Sequence, residues 1–313
     1  MGHLRVFHFA KRKVDELRRR FTREPDPPSE LVIARVSNQE EFRAHTARIN
    51  VEAQDRRRQE LELAQPISRF GTRGFCFICQ QWTDFSSTWD WACKIDGQLH
   101  VNWREHLLCP RCRLNNRMRA TMHLLACTGA LTRRSHIYIT EQSTPLFRHL
   151  RKCFPFVAGS EYLGAAVALG QTNRAGIRNE NLTRLTLPNE AVDAILSFEV
   201  LEHIPDYKKA FAECARILKP RGKMLFSVPF DVSSAHNRIR ARVNSDATIE
   251  HLLPPEYHCN PISSEGSLCF QHFGWEILDQ LREAGFSTVS ALCYYSRDYG
   301  YLGGEQIQFL AEK

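Results

Sequence analysis

The 313-residue chain contains no apolar run approaching the roughly 20 residues that a membrane-spanning helix needs. Its opening stretch, MGHLRVFHFAKRKVDELRRRF, lacks the apolar core and small-residue cleavage site of a secretion signal. The expectation is a soluble, cytoplasmic protein whose 11 cysteines are reduced thiols and not a disulfide framework. A dense basic tract with interleaved aromatics is missing too. The net charge of +7, from 42 basic and 35 acidic residues, is spread thinly, and residues 231–313 are acidic, with 6 basic against 11 acidic groups. Such a surface is ordinary solvated charge, with phosphate contact as the alternative.

The length suffices for one full α/β domain and a smaller one. Three segments suggest themselves. Residues 1–70 form a helical appendage: Val14, Leu17 and Phe21 mark a short amphipathic helix, EPDPPSE breaks it, and LVIARV reads as a strand. Ser37 with Glu40 resembles a capping box for a long polar helix through QDRRRQELELAQ. Its apolar stripe is thin, which suits a solvated or partner-facing helix such as a homodimer contact.

Residues 71–130 form a cysteine-rich module. Cys76 and Cys79 make one C-x-x-C, Cys109 and Cys112 another, with 29 residues between the pairs. Four thiolates so paired can hold one tetrahedral Zn²⁺, and a closed four-cysteine site is structural because no position remains for water. Cys93 and His100 lie between the pairs and could replace a ligand. Arg111, Arg113, Arg117 and Arg119 follow, able either to bind an anionic substrate or to pack on acidic neighbours.

Residues 131–313 hold the main domain, organised around residues 192–230. Ala194 to Leu196 is a short buried strand, Phe198 to Ile204 a loop or short helix behind it, and a helix starts near Asp206 with Tyr207, Phe211, Cys214 and Leu218 on its buried face. Lys219, Pro220 and Gly222 stop that helix, and Lys223 to Val228 is a second strand. Strand, helix, strand reads as a parallel pair with a right-handed crossover.

The strings D-A-I-L-S-F-E-V-L-E-H, A-R-I-L-K-P-R-G and K-M-L-F-S-V-P-F together resemble the latter half of the nucleotide-binding domain of class I S-adenosylmethionine (SAM) dependent methyltransferases, of the type 11-like kind. The resemblance implies a Rossmann-like α/β sheet with a terminal antiparallel hairpin, SAM as cofactor and methyl transfer as activity. Around it, HIYIT, FVAGSEYLG and GIRNE read as strands, and STPLFRHLRKCF as a helix capped by Ser143 or Thr144 with Pro145 in its first turn. Phe273 to Ala284 reads as a helix closed by Gly285, and STVSALCYYS and EQIQFLAEK as the hairpin strands. Where the family places D-x-G-x-G-x-G, this chain has T-E-Q-S-T-P. By resemblance the cofactor would meet Glu141, Glu161, Asn181 (or Glu180), Leu182, Ser197 and Glu199, with Glu161 accepting the ribose hydroxyls. Asn181 could equally be a turn residue.

Glu199, Glu202 and His203 form E-x-x-E-H, which on a helical turn would share one face. Two carboxylates and an imidazole suit a divalent ion such as Mg²⁺, Mn²⁺ or Zn²⁺. The string is similar to that of ubiquinone-biosynthesis O-methyltransferases and small-RNA 2′-O-methyltransferases, in which such residues hold a metal near the accepting hydroxyl, and His272 would be a fourth ligand by analogy with the RNA enzymes. The metal-free reading makes His203 a general base beside Glu202, with His236, His258 and His272 in reserve from the polar insertion 231–270 expected to cover the substrate. The acceptor expected is a small molecule or glycan. The alternatives are an RNA methyltransferase that docks RNA through its zinc module, as the layout of large-subunit ribosomal RNA guanine methyltransferases suggests, and a non-catalytic binding module of the same fold.

Overall fold

The computed structural model describes residues 25–129, 131–260 and 263–313; the amphipathic segment around Val14, Leu17 and Phe21 lies outside them. The chain falls into two compact units that interleave along the sequence. One comprises residues up to Ala34, His45–Arg133 and Cys293–Ile307; the other comprises Arg35–Ala44, Arg134–Leu292 and Gln308–Lys313.

Strand β1 (Ile33–Val36) leads to helices α1 (Gln39–Arg48) and α2 (Asn50–Leu63). The expected single helix is thus two, with the break at Ile49, and the capping pair is Asn38 with Glu41, not Ser37 with Glu40: Asn38 Oδ1 accepts the Glu41 N–H at 2.8 Å. The polar face of α2 is engaged within its own unit. Arg56 pairs with Glu305 at 2.7 Å and lies over the Tyr295 ring, and the buried Glu60 accepts the N–H groups of Gly303 and Gly304. Its thin apolar stripe therefore reflects polar inward contacts.

The rest of this unit is a hairpin of β2 (Arg69–Cys76) and β3 (Gln81–Thr88), a small hairpin of β4 (Cys93–Ile95) and β5 (Gln98–His100), and helix α3 (Asn116–Cys127), capped by Asn115. Phe70, Phe85, Val101, Trp103, Leu107 and Leu302 form its core. Arg119, fully buried, lies 3.7 Å over the Phe85 ring and donates to the carbonyls of Tyr299, Leu107 and Gly300.

The second unit is built on β6 (Ile137–Ile139), α4 (Pro145–Cys153), β7 (Val157–Gly159), β8 (Val192–Phe198), α5 (Tyr207–Ile217) and β9 (Leu218–Ser227). Small strands follow: β10 (Arg238–Ile239), β11 (Ala241–Val243), β12 (Ile249–His251), β13 (Tyr257–Asn260), β14 (Ser263–Leu268) and β15 (Gln271–His272). Helix α6 (Glu276–Glu283) precedes the last two strands, β16 (Thr288–Ser296) and β17 (Tyr301–Glu312), whose facing ends run into the first unit. The seven-stranded sheet has the order β1-β16-β17-β9-β8-β6-β7, with β7, β6, β8 and β9 parallel and β17 antiparallel to β9. It is a Rossmann-like α/β sheet, mostly parallel, with terminal antiparallel strands.

Local chemistry sets these elements. Thr144 caps α4 and Asp206 caps α5, each accepting an N–H from three residues on. Strand β9 starts at Leu218 rather than Lys223, because Gly222 closes against the Lys219 carbonyl, where an added Cβ would sit 2.8 Å from the oxygen. The expected third strand, GIRNE, reduces to two isolated bridges, a parallel one between Glu161 and Asn179 and an antiparallel one between Thr172 and Arg178; the Asn179 amide is spent on the carbonyls of Gly164 and Val167. Helix α6 starts later than Phe273, since Gly274 is pressed on the 234–236 backbone, where a Cβ would lie 2.7 Å from the Ser234 carbonyl oxygen.

Candidate active site and cysteine cluster

Ligands of open α/β sheets lie beyond the carboxyl ends of the parallel strands. There lies the turn Thr140 to Thr144, and Glu161 organises it. Glu161 Oε1 accepts the Gln142 N–H (2.8 Å), the Ser143 N–H (2.9 Å) and the Ser143 hydroxyl (2.6 Å). Gln142 in turn bridges to the Gly176 carbonyl and the Arg178 N–H. The other sequence-named residues of this rim are also bonded. Asn181 Oδ1 accepts from the Thr183 N–H and hydroxyl, an Asx turn. Glu180 is buried and takes Arg178 and Thr186, Leu182 is buried, and Ser197 accepts from Thr140.

Beyond β8, Glu199 has φ 56° and accepts the Ser227 hydroxyl at 2.6 Å. It precedes the 3₁₀ turn Leu201–His203 and is not on one helical face with Glu202 and His203. That turn is held by the strand opposite: the Phe270 N–H donates to the Glu202 carbonyl, and the Gln271 side chain donates to the carbonyls of Leu201 and Ile204. Glu202 is pulled inward, its side chain 0 % exposed, and neither carboxylate oxygen makes a hydrogen bond. Two imidazoles face Glu202 Oε1, His203 through Nε2 at 3.5 Å and His258 through Nδ1 at 3.4 Å. His203 Nδ1 lies 2.8 Å from the Leu268 carbonyl, and His258 Nε2 lies 3.0 Å from Glu256 Oε1. His272 meets that same Glu256 oxygen at 3.0 Å, and Arg240 pairs with the other.

Electrostatics follow the burial. Desolvation pushes Glu202 up to about 7, with His258 opposing and Glu199 adding repulsion. Burial also holds His203 below the ordinary imidazole range, while the carboxylates of Glu202 and then Glu256 raise His258 to about 9. Of the ligands expected from E-x-x-E-H, the structure brings Glu202 and His203 together. It places Glu199 on Ser227 and His272 on Glu256, and the third group at Glu202 is His258. Glu256 went unnoticed in the sequence; its position two residues before His258, in P-P-E-Y-H, was the available signal. His236 stands apart, exposed and paired with Glu276.

In the other unit, Cys76, Cys79, Cys109 and Cys112 converge, their sulfurs all within 4.8 Å of one another. The two pairs are built alike. In each, the first cysteine's carbonyl accepts the N–H four residues on, from Gln80 (2.8 Å) or Arg113 (3.0 Å), and both of these residues have positive φ, 54° and 63°. Cys93 and His100 face each other across β4 and β5 outside this cluster. Arg117 is held by Glu105 and Arg119 is buried, so neither serves as an anion-binding surface group.

Residues 146–226 match a family model described as a methyltransferase domain. A probable S-adenosylmethionine-dependent methyltransferase of Mycolicibacterium smegmatis is 37 % identical over 84 residues, 26 % of this chain and 33 % of that protein. One from Mycobacterium tuberculosis is 31 % identical over 120 residues, 38 % of this chain and 35 % of that protein. The chain thus spans about a third of the length of the curated relatives it matches. Among solved structures, a Mesorhizobium loti S-adenosylmethionine-dependent methyltransferase aligns with TM-score 0.39 and 15 % identity, over 63 % of this chain and all of that one. The Burkholderia thailandensis 1,6-didemethyltoxoflavin-N1-methyltransferase aligns with TM-score 0.39 and 16 % identity, over 63 % and 77 %. The strand order, and not these partial likenesses, defines the fold. Among the described residues no helix is long and apolar enough to cross a membrane.

Proposed function

We propose that the protein transfers a methyl group from SAM to an oxygen of a small-molecule, sugar or other biosynthetic acceptor. The observation that carries this reading is the match of residues 146–226 to the methyltransferase domain, because that segment runs from α4 to β9 and includes the strand ends where a nucleoside would lie. The residues fit a nucleoside there. Glu161 uses one oxygen for the turn, which leaves Oε2 to accept a ribose hydroxyl, and Asn181 keeps its amide nitrogen for the base beside buried Leu182. Glu141 would meet the methionine end, since the Gln142 and Ser143 N–H groups are already spent on Glu161.

SAM supplies an electrophilic methyl group when bound, so the protein's share is to align the acceptor and manage its proton. The Glu202, His203 and His258 cluster is suited to the second task. His203, kept neutral by burial, gives Nδ1–H to Leu268 and presents the Nε2 lone pair.

For the cysteine cluster we propose one structural Zn²⁺. A tetrahedron with metal–sulfur bonds of about 2.3 Å has sulfur–sulfur edges of about 3.8 Å; the Cys76–Cys112 and Cys79–Cys109 separations are both 3.8 Å. Four thiolates around Zn²⁺ leave a double negative charge, which the buried Arg119 guanidinium partly offsets.

Calorimetric titration with SAM and with its demethylated product tests the function. Heat of binding in the wild type, reduced in Glu161→Ala, is the expected result; no heat and no thermal shift at about 1 mM ligand ends the reading.

A further inference from the structure

Resting on the reading of this site as the acceptor side of a methyltransferase, we propose that Glu202, His203 and His258 bind a divalent first-row transition cation, with Glu256 fixing His258 from behind.

The argument starts from proton positions. His203 lies against the Leu268 carbonyl through Nδ1, and a carbonyl only accepts, so Nδ1 carries the proton and Nε2 presents a lone pair. That lone pair faces Glu202 Oε1 at 3.5 Å. His258 is set the same way: Nε2 gives its proton to Glu256, and Nδ1 faces the same Glu202 oxygen at 3.4 Å. With a single proton on His258, two lone pairs and a carboxylate oxygen therefore converge on one point, inside the fold, at the wholly buried Glu202, which faces these two imidazoles. Such a convergence is repulsive until positive charge occupies it, and the ligand atoms already lie within 4.8 Å of one another. Outer nitrogens tied to a carboxylate and to a backbone carbonyl are the arrangement by which metal-binding histidines are oriented. Two imidazoles and one carboxylate favour Mn²⁺, Fe²⁺, Co²⁺ or Zn²⁺ over Mg²⁺ or Ca²⁺, which prefer oxygen ligands. Without an ion, a second proton on His258 is the substitute, bridging Glu202 and Glu256.

The position has a functional consequence. His203 and Glu202 come from the turn after β8, whereas His258 and Glu256 come from the insertion between β9 and α6. A cation would join the two, and would polarise an acceptor hydroxyl in place of a general base. The ligand set differs from the one that E-x-x-E-H suggests, since Glu199 and His272 are engaged elsewhere.

Mn²⁺ is the probe, because its aqueous electron paramagnetic resonance signal is lost on binding and because a four-thiolate site does not compete for it. Titrating the full-length protein should show one Mn²⁺ bound per chain. Glu202→Gln and His258→Gln should each weaken binding at least 100-fold, Glu256→Gln by about 10- to 100-fold, and His236→Ala not at all. SAM binding, followed separately by calorimetry, should be unchanged in His258→Gln, so a failure of the methyltransferase reading would be visible apart from a failure of the metal site. An undiminished free Mn²⁺ signal with wild-type protein overturns the proposal, as does Mn²⁺ affinity unaltered by both Glu202→Gln and His258→Gln. His258 is part-exposed, so its variant stays informative if burial of a glutamine at 202 unfolds the chain.

Discussion

Glu161 and Ser143 are joined twice, through the Ser143 N–H at 2.9 Å and its hydroxyl at 2.6 Å, both ending on one carboxylate oxygen. Glu161 is thus the fastener of the turn at residues 140–144, as well as the proposed ribose acceptor. The two roles separate by substitution. Ser143→Ala should cost about 1.5 kcal/mol of stability, the lower end for one hydrogen bond to a charged acceptor, and change SAM affinity less than threefold. Glu161→Ala should lose about 2 kcal/mol and weaken SAM by at least tenfold. Chemical denaturation paired with calorimetry reads both.

Arg119→Lys keeps the buried charge but cannot span the carbonyls of Tyr299, Leu107 and Gly300. Leaving buried carbonyls unmet should lower stability by about 3 kcal/mol. Thermal unfolding followed by Trp fluorescence would register it, and unchanged stability would mean that the guanidinium is not needed.

Removal of the proposed zinc should unfold the first unit and spare the second. Cys112→Ser should release zinc measured by elemental analysis from one per chain to below about 0.2, with loss of amide protection in residues 69–127. Full protection in the metal-free variant would contradict a structural role.

Asp193 gives a pH test. Its partial burial raises the carboxyl pKa, but the His136 N–H at 2.7 Å and Lys219 at 2.9 Å outweigh that, and the net shift is downward. A carboxyl depressed in the folded state stabilises above its ordinary range near 4 and ceases to do so as pH falls through the folded value. Asp193→Asn should therefore cost on the order of 0.5–1 kcal/mol at pH 7, discounted for exposure, and the gap from wild type should close as the pH falls below the ordinary carboxylate range. Urea denaturation at several pH values shows whether it does.

Much of the second unit was legible in the sequence because its signals are local. Asp206 and Thr144 cap where side-chain chemistry says they should, and the apolar run at 194–196 can only be buried. The site was legible in part, and for a physical reason. Glu202 and His203 are neighbours in sequence, but His258 reaches them across more than 50 residues through pairing of β13 with β14, and Glu199 is turned away by a backbone reversal that no spacing rule encodes. Helix α2 misled for a related reason: its buried face is carried by Arg56 and Glu60, whose partners near residues 303–305 lie far along the chain.

The interleaving of the two units sets a timetable for synthesis. Arg119 is translated 180 residues before Tyr299, whose carbonyl it binds. At 5–20 residues per second this is a wait of about 10 to 40 s. During that interval the cysteine-bearing unit lacks the strand tips that cover its guanidinium, although all four thiolates have been made. At the proposed zinc site the metal would then be captured by the nascent chain before its hydrophobic core can close, metal first and burial last.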